Sequence, residues 1–171
     1  EASEIIGQVL KVKNELNDWK VKTEEKKVTN IVFMGMGEPF FNYDNVMQSV
    51  DIFCDEMGLA LSKRKITIST SGVVPKIESF KLDKDVNLAI SLHAVFNEVR
   101  NELVPINKKW PLEKLMQSLH NYNASREKKR ITIEYIMLEN VNDSIEDAKM
   151  LIKLLKPLKS KVNLIPFNPW P

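Results

Sequence analysis

The chain of 171 residues is 43% hydrophobic and 28% charged, with a formal net charge of +2. That balance fits one soluble globular domain over residues 1–171, and the excess of base is too small to mark a nucleic-acid binder by charge alone. A single cysteine, Cys54, excludes a disulfide framework or a cysteine-rich metal site made by this chain alone, and no window approaches the ~18 uncharged apolar residues of a membrane span.

Ile5, Val9, Val12 and Leu16 recur at helical spacing and predict a first amphipathic helix that fades into the charged run KTEEKK. Val28 to Met34 predicts a buried parallel strand, which opens into Gly35-Met36-Gly37-Glu38-Pro39. The glycines leave the backbone open to a ligand, Pro39 stiffens the turn, and Glu38 falls at the strand end where ligands collect in open α/β sheets. A tight turn with a solvated glutamate uses the same residues. Val46, Val50, Phe53 and Met57 predict a second helix, with Asp44 as its N-cap and Gly58 as its stop; Cys54 within it reads as a packed or half-exposed thiol.

Lys65 to Ser69 predicts the next strand, Val74 to Leu82 a helix entered through Pro75, and Val86 to Leu92 a third strand ending in Ser91-Leu92-His93. Phe96 to Leu103 reads as a short helix, Pro105-Ile106-Asn107 as a loop, and Pro111 as the start of a helix with Leu112, Leu115, Met116 and Leu119 on one face. Arg130 to Leu138 is a strand whose Glu134 can point either way. Asn142, Asp143 and Ser144 offer caps for a helix with a core face of Ile145, Ala148, Leu151, Ile152 and Leu155, and Asp143 with Glu146 fits a capping box. Lys161 to Ile165 is the last strand. The reading is α/β: about five parallel strands with helical crossovers, as a doubly wound sheet or an incomplete barrel.

The strand ends present Glu38, then Ser69 and Ser71, then Ser91 and His93, and finally Asn168. A carboxylate, hydroxyls, an imidazole and an amide suit a small amphoteric ligand, the carboxylate matching an ammonium group. Serines at strand ends are more commonly turn or cap residues, and a lone histidine there is more commonly a hydrogen-bonder than a catalyst. The basic runs Lys108-Lys109-Trp110 and Arg126 to Arg130 read first as solvated surface, with RNA contact as the alternative. Gly35-x-Gly37 lacks the third glycine of a dinucleotide fingerprint, since position 40 is Phe.

FMGMGEP, LSKRKITISTSGVVP, AISLHA, VPINKKW, ITIEYIMLENVND and KVNLIPFNPWP, in that order, resemble the radical SAM rRNA methyltransferases of the RlmN/Cfr type. The resemblance implies a partial radical SAM (β/α)6-type barrel. Pro39 after GMGE, Ser71 in STSG and the IPFNP tail are similar to the RlmN branch, which methylates carbon 2 of an adenine in 23S rRNA and in certain tRNAs. The alternatives are a Cfr-like methylation of carbon 8 or a catalytically silent RNA-binding barrel.

Carried over by position, Gly37, Glu38, Ser69, Ser91, Leu92, His93 and Asn168 match the family's S-adenosylmethionine contacts, with Glu38 receiving the methionine amino group. The resemblance also implies a 4Fe-4S cluster and a methyl group carried on cysteine. A radical taken from S-adenosylmethionine activates that methyl group, and a second cysteine resolves the adduct. Neither those cysteines nor the cluster-binding loop occurs here, and the opening EASEIIGQVL carries no initiator methionine. A catalytic-core piece of a longer, cytoplasmic, monomeric enzyme is therefore expected, inactive alone, with metal ligands and catalytic residues outside it and an electron donor such as flavodoxin as partner.

Overall fold

The computed structural model describes residues 1–19, 25–83, 85–125 and 130–168. Residues 22–24 of the KTEEKK run, 126–129 of the second basic run and the final 169–171 lie outside them. In chain order the elements are α1 (Ala2–Glu15), β1 (Ile31–Phe33), α2 (Tyr43–Cys54), β2 (Ile66–Thr70), α3 (Val74–Asp83), β3 (Asn87–Ser91), α4 (Asn97–Leu103), α5 (Leu112–Ala124), β4 (Ile131–Met137), α6 (Ile145–Leu155) and β5 (Ser160–Pro166). The strands run parallel and alternate with helices, the α/β architecture expected from the sequence. The chain divides into two compact units, Glu1–Ile68 with Asp85–Asn87, and Ser69–Lys84 with Leu88–Pro171.

In the first unit β1 lies in register with β2, Ile31 beside Ile66 and Phe33 beside Ile68. The α2 face of Val46, Val50 and Phe53 is buried with Phe40, Ile66 and Ile68, and the Phe33 and Phe53 rings sit 6.3 Å apart. Apolar residues at helical spacing on one element and alternating on the other close a dry core. β1 starts later than its apolar run. The carboxylate of Asp18, buried against the Lys13 ammonium at 2.9 Å, accepts the backbone N–H groups of Lys27 and Val28 at 2.9 and 3.1 Å. Those amides are thereby withdrawn from strand pairing. Asp44 is not the N-cap of α2; that position is Asn42, and Asp44 lies in the first turn, where a carboxylate still complements the helix dipole.

In the second unit β3, β4 and β5 form a parallel ladder that sets Ser91 beside Glu134 and Glu134 beside Asn163. One face of this ladder is apolar, with Leu88, Ile90, Ile131, Ile133 and Tyr135 buried. The other carries Ser91, Thr132, Glu134, Lys161 and Asn163, so Glu134 stands on the polar side. Phe80 of α3 and Tyr122 of α5 stack with centroids 6.1 Å apart and planes within 3°.

The capping box of α6 falls one residue beyond the expected one. Ser144 Oγ accepts the Asp147 N–H, and Asp147 returns a carboxylate oxygen to the Ser144 N–H. Asp143 is instead turned towards the Asn140 N–H at 3.0 Å. The expected core face of α6 is apolar but open: Ile145 is 74% and Ile152 70% exposed. Ala148, Leu151, Ile152 and Leu155 line a groove of about 430 Å3 with Val162 and Leu164 of β5.

Candidate functional site

The turn after β1 holds the first candidates. Gly35 and Gly37 have φ of +116° and +83°, values that L side chains rarely adopt, so the glycines are what let the chain turn back immediately after the strand. Glu38 then returns to extended backbone and becomes the N-cap of the 3-10 turn Pro39–Asn42, its carboxylate accepting the Phe40 N–H at 3.0 Å. Gly37 and Glu38 border a hollow of about 370 Å3 in this unit, walled by Ile5 and Val9 of α1 with Met34 and Met36. An apolar wall beside one carboxylate suits a ligand with an apolar body and a cationic end.

The second unit holds Ser69, Ser91, Leu92, His93 and Asn168. Ser69 and Leu92 are buried, Ser91 and His93 half-buried, and Asn168 is exposed two residues past β5. After Ser91 the ladder runs out. The Leu92 and His93 N–H groups share the Glu134 carbonyl at 3.0 and 3.4 Å, and the chain turns through His93 at φ +57°. A left-handed histidine persists only when its surroundings hold it.

Two further contacts hold His93. The Ile136 N–H donates to its Nδ1 at 3.2 Å, which fixes the neutral ring with its proton on Nε2. Asn142 donates through Nδ2 to the His93 carbonyl at 2.6 Å and to the Ile136 carbonyl at 2.7 Å, while its Oδ1 accepts the Leu138 N–H at 2.7 Å. Burial, then the nearby Arg100 charge, lowers the His93 pKa from 6.5 to about 4. Tyr135 donates its hydroxyl to the Asn142 carbonyl at 2.8 Å, and burial, helped by Asp147 and Asp143, pushes its pKa up to about 12. The phenol therefore stays a donor.

Sequence reasoning placed Asn142 only among candidate caps and gave no role to Arg100 or Asn163. The structure puts Asn163 Nδ2 2.7 Å from a Glu134 carboxylate oxygen, beside Ser91. The carboxylate is thereby oriented on the polar face. Lys108 and Lys109 are exposed, and Lys109 Nζ lies 4.6 Å from the centroid of the Trp110 ring, so this ring already carries a cation.

Gly72, at φ +114°, turns the chain out of β2. A Cβ there would meet Leu115 Cδ1 at 3.3 Å and an Arg100 nitrogen at 3.5 Å. Gly72→Ala is expected to lower folding stability by about 1–2 kcal/mol through backbone strain and crowding, read as a fall in the urea midpoint at unchanged slope.

Parallel strands with helical crossovers define an α/β protein, with candidate polar groups at strand ends in each of its two units. Residues 9–155 match the family model of the Radical SAM superfamily, and the chain belongs to that superfamily. It is 53% identical over 171 residues to the dual-specificity RNA methyltransferase RlmN of Bradyrhizobium diazoefficiens, covering 99% of this chain and 43% of that protein. The RlmN of Parvibaculum lavamentivorans is 52% identical over 173 residues, with the same coverage. A crystal structure of a radical SAM methyltransferase from Sphaerobacter thermophilus superposes with a TM-score of 0.90 at 40% identity, over 98% of this chain and 48% of that one. The chain thus spans less than half the length of the relatives it matches. Among the described residues no helix is long and apolar enough to cross a membrane.

Two groups come with that family. For S-adenosylmethionine the first unit's residues fit: a carboxylate beside a hollow that Gly37 helps to line suits its ammonium end. For a 4Fe-4S cluster they do not fit. Cys54 is the single cysteine, half-buried in α2, and among the described residues no group of three His, Cys, Asp or Glu side chains is placed to hold a metal ion.

Proposed function

We propose that this chain is the S-adenosylmethionine-binding part of a radical SAM methyltransferase of the RlmN type, acting on adenine carbon 2 of 23S rRNA and of tRNA by way of a methylcysteine. The observation that carries the reading is Glu38, a carboxylate placed by a Gly-x-Gly turn at a strand end beside a hollow. Bound S-adenosylmethionine supplies the methyl groups and the radical chemistry; this chain's part is to bind and orient it.

In this reading the Glu38 carboxylate receives the methionine ammonium while the Gly37 backbone, free of a side chain, allows close approach. Ser69, Ser91, Leu92, His93 and Asn168 take the remaining polar groups. With Nδ1 occupied by the Ile136 N–H, His93 offers its Nε2–H as a donor and no free imidazole base. The reading includes rRNA and tRNA as partners, a one-electron donor of the flavodoxin kind, and a monomeric cytoplasmic enzyme.

Glu38→Ala in the full-length protein is expected to weaken S-adenosylmethionine binding about tenfold or more, measured by calorimetry. Affinity unchanged in that variant would overturn the placement of the ammonium. Incubating the reconstituted full-length protein with 23S rRNA and mapping the modified base by mass spectrometry tests the substrate; methyl gain at carbon 8, or none on adenine, would overturn it.

A further inference from the structure

Arg100 is fully buried, with none of its surface exposed, and it heads the largest buried side chains. A short helix reading NEVRNEL gives no reason to sink a guanidinium, and among the described residues no carboxylate pairs with it. A buried unpaired charge is costly unless every donor is satisfied, so its partners show what it is kept for.

Those partners are backbone oxygens and one amide. Nε donates to the Leu92 carbonyl at 2.9 Å, and one terminal nitrogen donates to the carbonyls of Ser71 at 2.7 Å and Ser91 at 3.1 Å. The other terminal nitrogen donates to Asn107 Oδ1 at 2.8 Å. Asn107 is buried too, and its Nδ2 is held by the side-chain oxygens of Asn101 at 2.8 Å and Asn97 at 3.0 Å. The guanidinium is thus anchored behind by the PIN turn and α4, and in front it ties the turn after β2 to the end of β3.

We propose that Arg100 is the positioning residue for S-adenosylmethionine in this chain, setting the backbone of the Ser69–Ser71 and Ser91–His93 segments through the carbonyls of Ser71, Ser91 and Leu92. The inference rests on the reading above, in which Ser69, Ser91, Leu92 and His93 contact that cofactor. Arg100 touches none of it and acts only through the two segments. A planar fork with donors on three sides can hold three carbonyls and an amide at once; the single ammonium of lysine cannot. The same geometry assigns a role to the VPIN stretch: its asparagine braces the guanidinium.

The test uses full-length, cluster-reconstituted protein with a 23S rRNA transcript as substrate, comparing wild type, Arg100→Lys and Glu38→Ala. Arg100→Lys is expected to raise KM for S-adenosylmethionine about tenfold while KM for the transcript stays within about twofold. A purely structural role would lower the active fraction, so kcat would fall with both KM values unchanged, and that result overturns the proposal. A wild-type KM for S-adenosylmethionine in Arg100→Lys alongside a weakened Glu38→Ala overturns the proposal alone. Both variants behaving as wild type overturns the binding reading with it. If Arg100→Lys does not fold, hydrogen exchange on the wild-type enzyme decides: S-adenosylmethionine is expected to slow exchange in residues 69–73 and 91–94 together. Protection of only one segment, or of neither, overturns the coupling.

Discussion

Replacing Asn142 by aspartate is expected to cost about 3–5 kcal/mol of folding stability at neutral pH, more than replacing it by alanine. The Asn142 amide nitrogen faces two carbonyls, of His93 and Ile136, at 2.6 and 2.7 Å, and both are acceptors only. An aspartate keeps the oxygen that accepts the Leu138 N–H but sets its second oxygen against those carbonyls. The side chain is almost wholly buried, so water cannot relieve the repulsion. Alanine only deletes three hydrogen bonds and leaves their partners unsatisfied, at about 2–4 kcal/mol in all. The order aspartate worse than alanine is what urea unfolding of the two variants should give. The reverse order would mean that the amide points the other way. Because Asn142 pins the His93 carbonyl, both variants should also release the left-handed turn at His93, visible as faster hydrogen exchange there than in β3.

Much of this architecture is legible in the sequence, and what is not has a common physical cause. Helical spacing in Val46, Val50 and Phe53, and alternation or continuous apolar character in the strands, are local signals, and those elements form. Even so, β1 keeps only Ile31–Phe33, with Val32 half exposed, and α2 ends at Cys54, short of the expected Met57 and Gly58. The turn Gly35 to Pro39 is legible too, because the positive φ values demand glycine within a few residues of the strand. The shortened start of β1 is not, since it depends on Asp18 reaching across to Lys27 and Val28. The α6 stripe shows the limit of periodicity: it identifies an apolar face, but not whether anything covers Ile145 and Ile152.

At the candidate site the division is sharper. Ser91 and His93 announce themselves at a strand end, whereas Arg100 draws no reading at all and Asn107 and Asn142 read as a loop residue and a cap. Arg100 and Asn142 owe their importance to acceptors contributed by other elements: Arg100 to the turn after β2 and the end of β3, Asn142 to the His93 carbonyl and to Ile136 in β4. Composition and spacing carry no record of such partners. A charged residue inside a short helix that also holds two asparagines is the nearest thing to a signal.

Stability is expected to fall as the pH is lowered from about 6.5 towards 4, by up to about 3 kcal/mol from His93 alone. Its folded pKa is depressed from 6.5 to about 4, so in that window the unfolded chain binds a proton that the folded chain refuses. More protons on the unfolded state means that acid favours unfolding; the contribution is complete above pH 6.5 and gone below about 4. The half-buried ring keeps some access to water, which makes the stated figure an upper bound and a loss of about 2 kcal/mol the working value. Carboxylates titrate near the lower end of the same range, so the measurement is a difference between wild type and His93→Asn. Asparagine tolerates the φ of +57° and does not titrate. Urea midpoints of the two should converge as the pH falls from 7 to 4, and parallel curves would show that His93 is not held neutral. The geometry gives the reason for convergence: the lone pair that accepts the Ile136 N–H is the one a proton must take. Charging the ring therefore breaks the bond that orients it, and its Nε2–H loses its aim with the fold still intact elsewhere.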